Sequence, residues 1–359
     1  MLAAVCRAFN EPLVIEAVGL APPGPGEVVV ELKACAICHS DLHYIEGAWG
    51  GLLPAVYGHE AAGVVRVCGD GVEDLAPGDH VVVTLIRACG HCFFCALGEE
   101  TACAHDFPLA QRTPLTDAAG RPLQHGMGTA AFAERVLVDQ TQVARIGADL
   151  PFDVAALLAC GVITGVGAVS NTAAVPAGSS VVVIGAGGVG LNVVQGARLV
   201  GAAPIIALDL VAEKRAMARA FGATAAFDPL LDDPLAAVRE LTAGRGADYV
   251  FVSVGSKVAI EQGVGLLRRG GSLVIVGMPP SGVTIELDPG NLAAQGQRVL
   301  GSKMGSSRID IDIPRLEGLY RRGDLRLDEL ISGRYPLSAI NDAIADVRRG
   351  VALRNVIVF

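Results

Sequence analysis

The stretch VVVIGAGGVG, residues 181–190, constrains the fold of this chain more than any other. A β-branched run ends in Gly185, Gly187 and Gly190, and a helix-like stretch, LNVVQGARLVG, follows. The pattern GxGxxG carries little weight alone and much more between a strand and a helix. In that setting Gly185 makes the turn and Gly187 lets the backbone approach a pyrophosphate. Gly190 lets the helix pack closely on the strand. Gly188 and Val189 complete the turn, and the helix N-terminus faces the phosphates with unpaired N–H groups. A second apolar run, PIIALDL, ends in Asp209, nineteen residues beyond Gly190. An acid there accepts the adenosine ribose hydroxyls and repels a 2′-phosphate, so the pattern predicts NAD rather than NADP. Leu210 follows, where NADP-users of such a fold often supply a basic residue.

Later runs, GADYVFVSVG (246–255) and GGSLVIVGMPP (270–280), are apolar and bounded by glycine or proline. Valine-rich runs without alternation suit strands buried on both faces. Residues 163–303 therefore read as the alternating βα units of a doubly wound parallel sheet, a Rossmann cofactor domain. Residues 1–162 differ. Their short β-like runs with Gly/Pro turns, such as APPGPGEVVVEL and GDGVEDLAPGDHVVV, predict a partly antiparallel, β-barrel-like domain. With 52% hydrophobic and 18% charged residues, the chain is far from the disordered regime. A net charge of -9 argues against a nucleic-acid or anionic-membrane surface. The start, MLAAVCRAFNEPLVIEAVG, lacks a signal-peptide pattern. The apolar run around 181–200 is broken by glycines, Asn192 and Gln195, unlike a membrane span. A soluble, cytoplasmic protein is expected, with its thiols in a reducing compartment.

Residues 89–103 read CGHCFFCALGEETAC and hold four of the nine cysteines. Disulfides, a redox pair and a metal compete to explain them. The odd total and the reducing compartment argue against a disulfide framework. One CxxC redox pair would leave two cysteines unexplained. Two-residue gaps at Cys89, Cys92 and Cys95, with turns eased by Gly90 and Gly98, let sulfurs converge on one ion. With Cys103, four thiolates close a tetrahedron. That is a structural zinc site, with an iron–sulfur cluster as the alternative.

A second set is scattered: CAICHSDLH at 35–43, GHE at 58–60, and LLACGVITG around Cys160. Cys38, His59 and Cys160 would make a Cys₂His set with one open place, the arrangement of a catalytic zinc. Singly, each has a plainer reading as a buried thiol or a hydrogen-bonded imidazole. Taken together, CHSDLH at 38–43, GHE, the four-cysteine lobe, Cys160, GAGGVG at 185–190 and the ending ALRNVIVF resemble one family. It is the zinc-dependent alcohol dehydrogenases of the medium-chain dehydrogenase/reductase family, and the resemblance covers essentially the whole chain. It implies Cys38, His59 and Cys160 as catalytic zinc ligands, hence two zinc ions per chain. Glu60 looks like the carboxylate that approaches the metal during ligand exchange, and Asp41 like the acceptor that fixes the His59 ring. Ser40 resembles a relay hydroxyl beside the substrate oxygen, from which His43 passes the proton to water. Thr164, Val254 and Gly277 fall where the family contacts the nicotinamide half. His39, Lys214 and Arg354 match basic cofactor contacts, Lys214 to the adenosine ribose and Arg354 to a phosphate. From about 304 to 359 the chain is expected to return to the first domain. Cys6, Cys35 and Cys68 match no ligand position.

The implied reaction is reversible hydride transfer between an alcohol and NAD, with zinc acidifying the alcohol. Trp49, Leu85, Gly126, Met127, Met278 and Lys303 align with pocket-lining positions of the family. Gly126 is expected to make room and Trp49 to fill another wall, which favours medium-chain or aromatic primary alcohols. Lys303 leaves an acidic substrate open. Polyols or secondary alcohols, and S-(hydroxymethyl)glutathione, are the alternatives. Trp49 and Phe107 stand near places where the glutathione branch carries an acid and an arginine. A redox sensor that binds zinc and nucleotide without turnover is the rival class, and the Ser40/His43 relay argues against it. The small-molecule substrate aside, the resemblance implies a homodimer or homotetramer.

Overall fold

Strand Glu27–Ala36 organises the first part of the molecule, and its EVVVELKACA sequence is buried along almost its whole length. In this computed structural model, which describes residues 1–350 and 352–359, the strand pairs antiparallel with Glu60–Cys68, Arg135–Asp139 and Arg354–Val358. The sheet continues through His80–Val83 and Val143–Arg145 on one side and Ile331–Pro336 on the other. Its curled inner face buries Val28, Val30, Leu32, Val65, Val81, Val83, Val136 and Val138, with Phe132 packed among them. Gly63 sits where a Cβ would come within 2.1 Å of the Glu31 carbonyl oxygen. A side chain there would push the two strands apart, and the register slips nearby, between Leu32 and Ala34. A second, six-stranded sheet in the same unit includes Leu2–Cys6, Ala55–Val56 and Pro122–His125. The unit comprises Met1–Cys160 and Arg308–Phe359.

Gly161–Ser307 forms the other unit, built on six parallel strands. They are Val181–Ile184, Ile205–Leu208, Ala225–Phe227, Ala247–Val252, Leu267–Ile275 and Arg298–Gly301. In space the first three run in reverse order and the last three in chain order. This is the doubly wound order, and its reversal lies beside the first strand. All four residues of Val181–Ile184 and of Ile205–Leu208 are buried, which explains their unbroken apolar runs.

One segment among the described residues, Phe152–Thr172, is long and apolar enough to cross a membrane, yet 89% of its apolar window is buried in the protein. It behaves as a core helix. Its start, Phe152–Leu157, packs on Glu27–Ala36 and Glu60–Cys68, while Ile163–Gly167 packs on helix Gly188–Leu199. Between them Leu158–Val162 winds as a π-helical turn, a feature frequent at functional sites.

Candidate metal and cofactor sites

In the first unit, sheet register assembles a cluster that sequence spacing leaves scattered. Ala36 is the Cα partner of both Glu60 and Val356. The three strand ends therefore meet, with Cys38 just past one, His59 just before another and Arg354 at the start of the third. Cys160 enters from the π-helical turn. The ligand atoms of Cys38, His59, Glu60 and Cys160 all lie within 4.8 Å of one another, and all four residues are buried.

Asp41, fully buried, orients this group. Its Oδ1 lies 2.9 Å from His59 Nδ1 and accepts from Gly58 N at 3.1 Å, while Oδ2 accepts from Cys38 N at 2.9 Å. One carboxylate thus fixes an imidazole and the two segments that carry Cys38 and His59. The far side is unsatisfied: His59 Nε2 and Glu60 Oε2 are buried with no hydrogen-bond partner among the described residues. Each such orphan costs about 1–3 kcal/mol. A cation bound by two sulfurs and an imidazole nitrogen removes the penalty at His59, and that donor set suits zinc. Burial pushes the Glu60 carboxyl up to about 7, opposed by the Arg354 guanidinium, whose NH1 is 3.1 Å from Oε1. The hydrogen bond from Cys160 holds the Cys38 thiol well below its usual range, against burial and with help from His59. Thiolate is the form that binds metal.

The second cluster is local. The Sγ atoms of Cys89, Cys92, Cys95 and Cys103 lie within 4.8 Å of one another, with Cys89–Cys95 at 4.0 Å and Cys92–Cys103 at 3.9 Å. Zinc–sulfur bonds of about 2.3 Å give a tetrahedral edge of roughly 3.8 Å. A disulfide would need about 2.05 Å. Cys89 N donates to Cys103 Sγ and Cys92 N to Cys89 Sγ, bonds that hold the loop around the four sulfurs. Gly90 and Gly98 take positive φ at the two turns.

In the second unit the three glycines of the turn have three different surroundings. Gly185 has φ +92°, and a Cβ would strike Val254 Cγ1 at 2.5 Å. At Gly190 a Cβ would meet Gly185 O at 1.8 Å. At Gly187 nothing lies within 4 Å. That open face precedes helix Gly188–Leu199, whose N-terminus has no side-chain cap. A phosphate group fits such a place. Asp209 Oδ2 accepts from Ala186 N at 2.7 Å and Oδ1 from Val211 N at 2.8 Å, so the acid is tied to the same turn. Gly277 packs on the Ser253–Val254 backbone, where a Cβ would come within 2.5 Å.

The chain matches the Alcohol dehydrogenase GroES-like domain over residues 24–148 and the Zinc-binding dehydrogenase family over residues 188–317. It is 38% identical to the NDMA-dependent alcohol dehydrogenase of Amycolatopsis methanolica, across 99% of this chain and 98% of that protein. It is 37% identical to the class-3 alcohol dehydrogenase of Zea mays, across 99% and 96%. The chain belongs to the zinc-dependent alcohol dehydrogenases of the medium-chain dehydrogenase/reductase family. The crystal structure of benzyl alcohol dehydrogenase from Acinetobacter calcoaceticus matches it with a TM-score of 0.93 at 32% identity, covering 100% of this chain and 99% of that one.

The remaining residues singled out in this dehydrogenase fall less evenly. Ser40 is half-buried in the first turn of helix His39–Ile45, and His39 is exposed. The His43 ring lies 4.7 Å from that of Trp49, which also meets Tyr44 edge-on. Thr164 is buried, with its hydroxyl toward Met304 Sδ at 3.7 Å. Lys214 is half-buried on helix Ala212–Phe221, and Val254 is 37% exposed. Of the residues expected to line a pocket, Trp49, Leu85, Gly126 and Met127 belong to the first unit, and Met278 and Lys303 to the second.

Gly126 requires a correction. Its missing side chain leaves no room, because a Cβ would lie 2.3 Å from Val56 O and 2.5 Å from the Tyr57 ring. Backbone and an aromatic ring already fill that side of the position, so the room expected from the missing side chain is not there. Arg354 also has a context its phosphate reading missed. It is 5% exposed and pairs with Glu60, while the same NH1 reaches Ile37 O at 3.4 Å. The two lie 294 positions apart in the sequence, so no local pattern announces the pair.

Proposed function

We propose that the dehydrogenase oxidises primary alcohols, medium-chain or aromatic, reversibly to aldehydes with NAD as hydride acceptor. The observation that carries this is the pair of buried orphan atoms, His59 Nε2 and Glu60 Oε2, gathered with the Cys38 and Cys160 thiols. Zinc held there by Cys38, His59 and Cys160 would supply Lewis acidity to the alcohol oxygen, and NAD on the glycine turn would supply the acceptor. The chain's own groups do the rest. Asp41 holds His59 in the tautomer that presents Nε2. Arg354 balances the charge of Glu60, so the carboxylate stays buried beside two thiols. Ser40 takes the proton released by the alcohol, and His43 hands it to water. Gly187 admits the pyrophosphate, and Asp209 takes the ribose hydroxyls. Support for an aromatic substrate comes from the benzyl alcohol dehydrogenase relative and from the apolar candidates Trp49, Leu85, Met127 and Met278.

Initial rates with ethanol, hexan-1-ol and benzyl alcohol test the reading. Each buried CH₂ is worth about 0.8 kcal/mol, so kcat/KM for the larger alcohols should exceed that for ethanol by roughly one to two orders of magnitude. Each assay is run with and without NDMA, the compound in the Amycolatopsis relative's name. NADH accumulating without NDMA would mark a freely exchanging cofactor, and turnover only with NDMA one that stays bound. No turnover of any alcohol under either condition would end the proposal.

Asp209→Ala tests the choice of cofactor. It removes a repulsive carboxylate and the acceptor of the Ala186 N–H together. Hydrogen bonds to charged groups contribute about 1.5–3 kcal/mol, so NADH affinity should fall by roughly ten- to a hundredfold while NADPH affinity changes less. Fluorescence titration with both nucleotides reads the ratio. Tighter binding of NADPH than NADH by the unaltered chain would refute the role given to this acid.

A further inference from the structure

Cys89 also belongs to a second group of donors. Its Sγ and a ring nitrogen from each of His91 and His105 lie within 4.8 Å of one another. This group faces outward, with both histidines exposed and Cys89 half-buried. Each ring is held by a separate contact. His91 Nδ1 donates to Cys89 O at 2.7 Å, which leaves Nε2 carrying the lone pair. The His105 ring stands edge-on to Phe107 with centroids 4.9 Å apart. Phe107 is itself buried, with the Arg87 guanidinium over its ring. The two imidazoles lie 5.5 Å apart, and the reaction proposed above uses neither.

A tetrahedral ion with four thiolates offers no open position. Donors just outside the site ease the entry and exit of such an ion, because they can hold it while the thiolates exchange one at a time. We propose that Cys89, His91 and His105 form a loading site for Zn²⁺ on the four-cysteine lobe. The incoming ion is caught by two neutral imidazoles and the Cys89 sulfur. It then passes to Cys92, Cys95 and Cys103 as the imidazoles let go, and Cys89 stays bound throughout. Each thiol releases its proton to water as it binds, and nothing is oxidised or reduced. The donors are of the sort that also accept cobalt and copper. The proposal rests on the reading that the lobe holds zinc.

Exchange of Co²⁺ into the zinc-loaded chain tests it, read by the sulfur-to-cobalt absorption of a four-thiolate site, which differs from that of a Cys₂His site. The unaltered chain is compared with the double variant His91→Asn/His105→Asn. Lobe exchange should slow by about tenfold or more, with zinc content, Tm and alcohol turnover unchanged. Equal exchange rates would overturn the proposal. So would a double variant that holds less zinc at equilibrium, because the histidines would then be resident ligands. If elemental analysis of the unaltered chain finds no lobe ion and no four-thiolate absorption appears in either protein, the lobe reading itself fails.

Discussion

Cys38→Ser is expected to abolish alcohol turnover and to leave a folded chain that keeps one zinc ion, the one in the four-cysteine lobe. Serine holds its proton near neutral pH and is a poor zinc donor beside a thiolate. The surrounding fold has little reason to change. Asp41 grips the Cys38 backbone N–H, not its sulfur, and serine keeps that bond. The ladder that joins Ala36 to Glu60 and Val356 involves no side chain of residue 38. Metal polarisation contributes several kcal/mol to lowering the barrier. At about 1.4 kcal/mol per factor of ten, kcat should fall by roughly three orders of magnitude or more. Elemental analysis, a melting curve and initial rates measure the three consequences together. A variant with ordinary turnover, or one that loses both ions, would remove the Cys₂His assignment.

What the sequence reveals depends on how far apart the cooperating residues lie. Gly185, Gly187 and Gly190 answer to three separate constraints: a positive φ, an open face and a close contact with a neighbouring carbonyl. All three fit in six residues, so a short pattern carries them. The same holds for Cys89 to Cys103, whose turns are made within one loop. Cys38, His59 and Cys160 are different. Antiparallel register and a π-helical turn bring them together, and neither leaves a spacing rule, so residue types alone suggest the set and only the family resemblance lifts it above the plainer readings. Arg354 and Glu60 meet by the same register, and nothing in either neighbourhood foretells the pair. Gly126 shows the opposite limit. A sequence shows that a side chain is missing but not what occupies its volume, here Val56 O and the Tyr57 ring. The unbroken valine and isoleucine runs of the parallel sheet were legible because burial on both faces removes the alternation a one-sided strand would show.

Cys92→Ser should act on stability first and on chemistry second. Among the described residues 89–106 none is buried, so this lobe has no apolar core of its own. Its one α-helix, Phe93–Ala96, spans four residues, far too few to stand alone. Phe93 and Leu97 are 71% and 60% exposed, so they give the lobe little support. The Arg308–Glu100 pair at 3.2 Å links the lobe to the start of helix Ile309–Arg321, but Arg308 is half-exposed and such pairs contribute little. The remaining candidate for holding the loop in shape is the metal. Structural zinc bound by small peptides contributes about 10–16 kcal/mol of apparent binding energy, which becomes folding energy wherever no site exists without the ion. Three thiolates would hold it far less tightly and leave the fourth position to water. The variant should therefore lose one zinc ion and be cleaved by protease within 89–106 under conditions that spare the unaltered chain. Intact molecules should retain most of their alcohol turnover at first, because Cys38, His59 and Cys160 keep their own contacts. Zinc content, limited proteolysis and rates taken on one preparation distinguish this from Cys38→Ser, which should lose turnover with its lobe uncut. A Cys92→Ser protein with full zinc content and unchanged protease resistance would mean that the loop is held by something other than a metal.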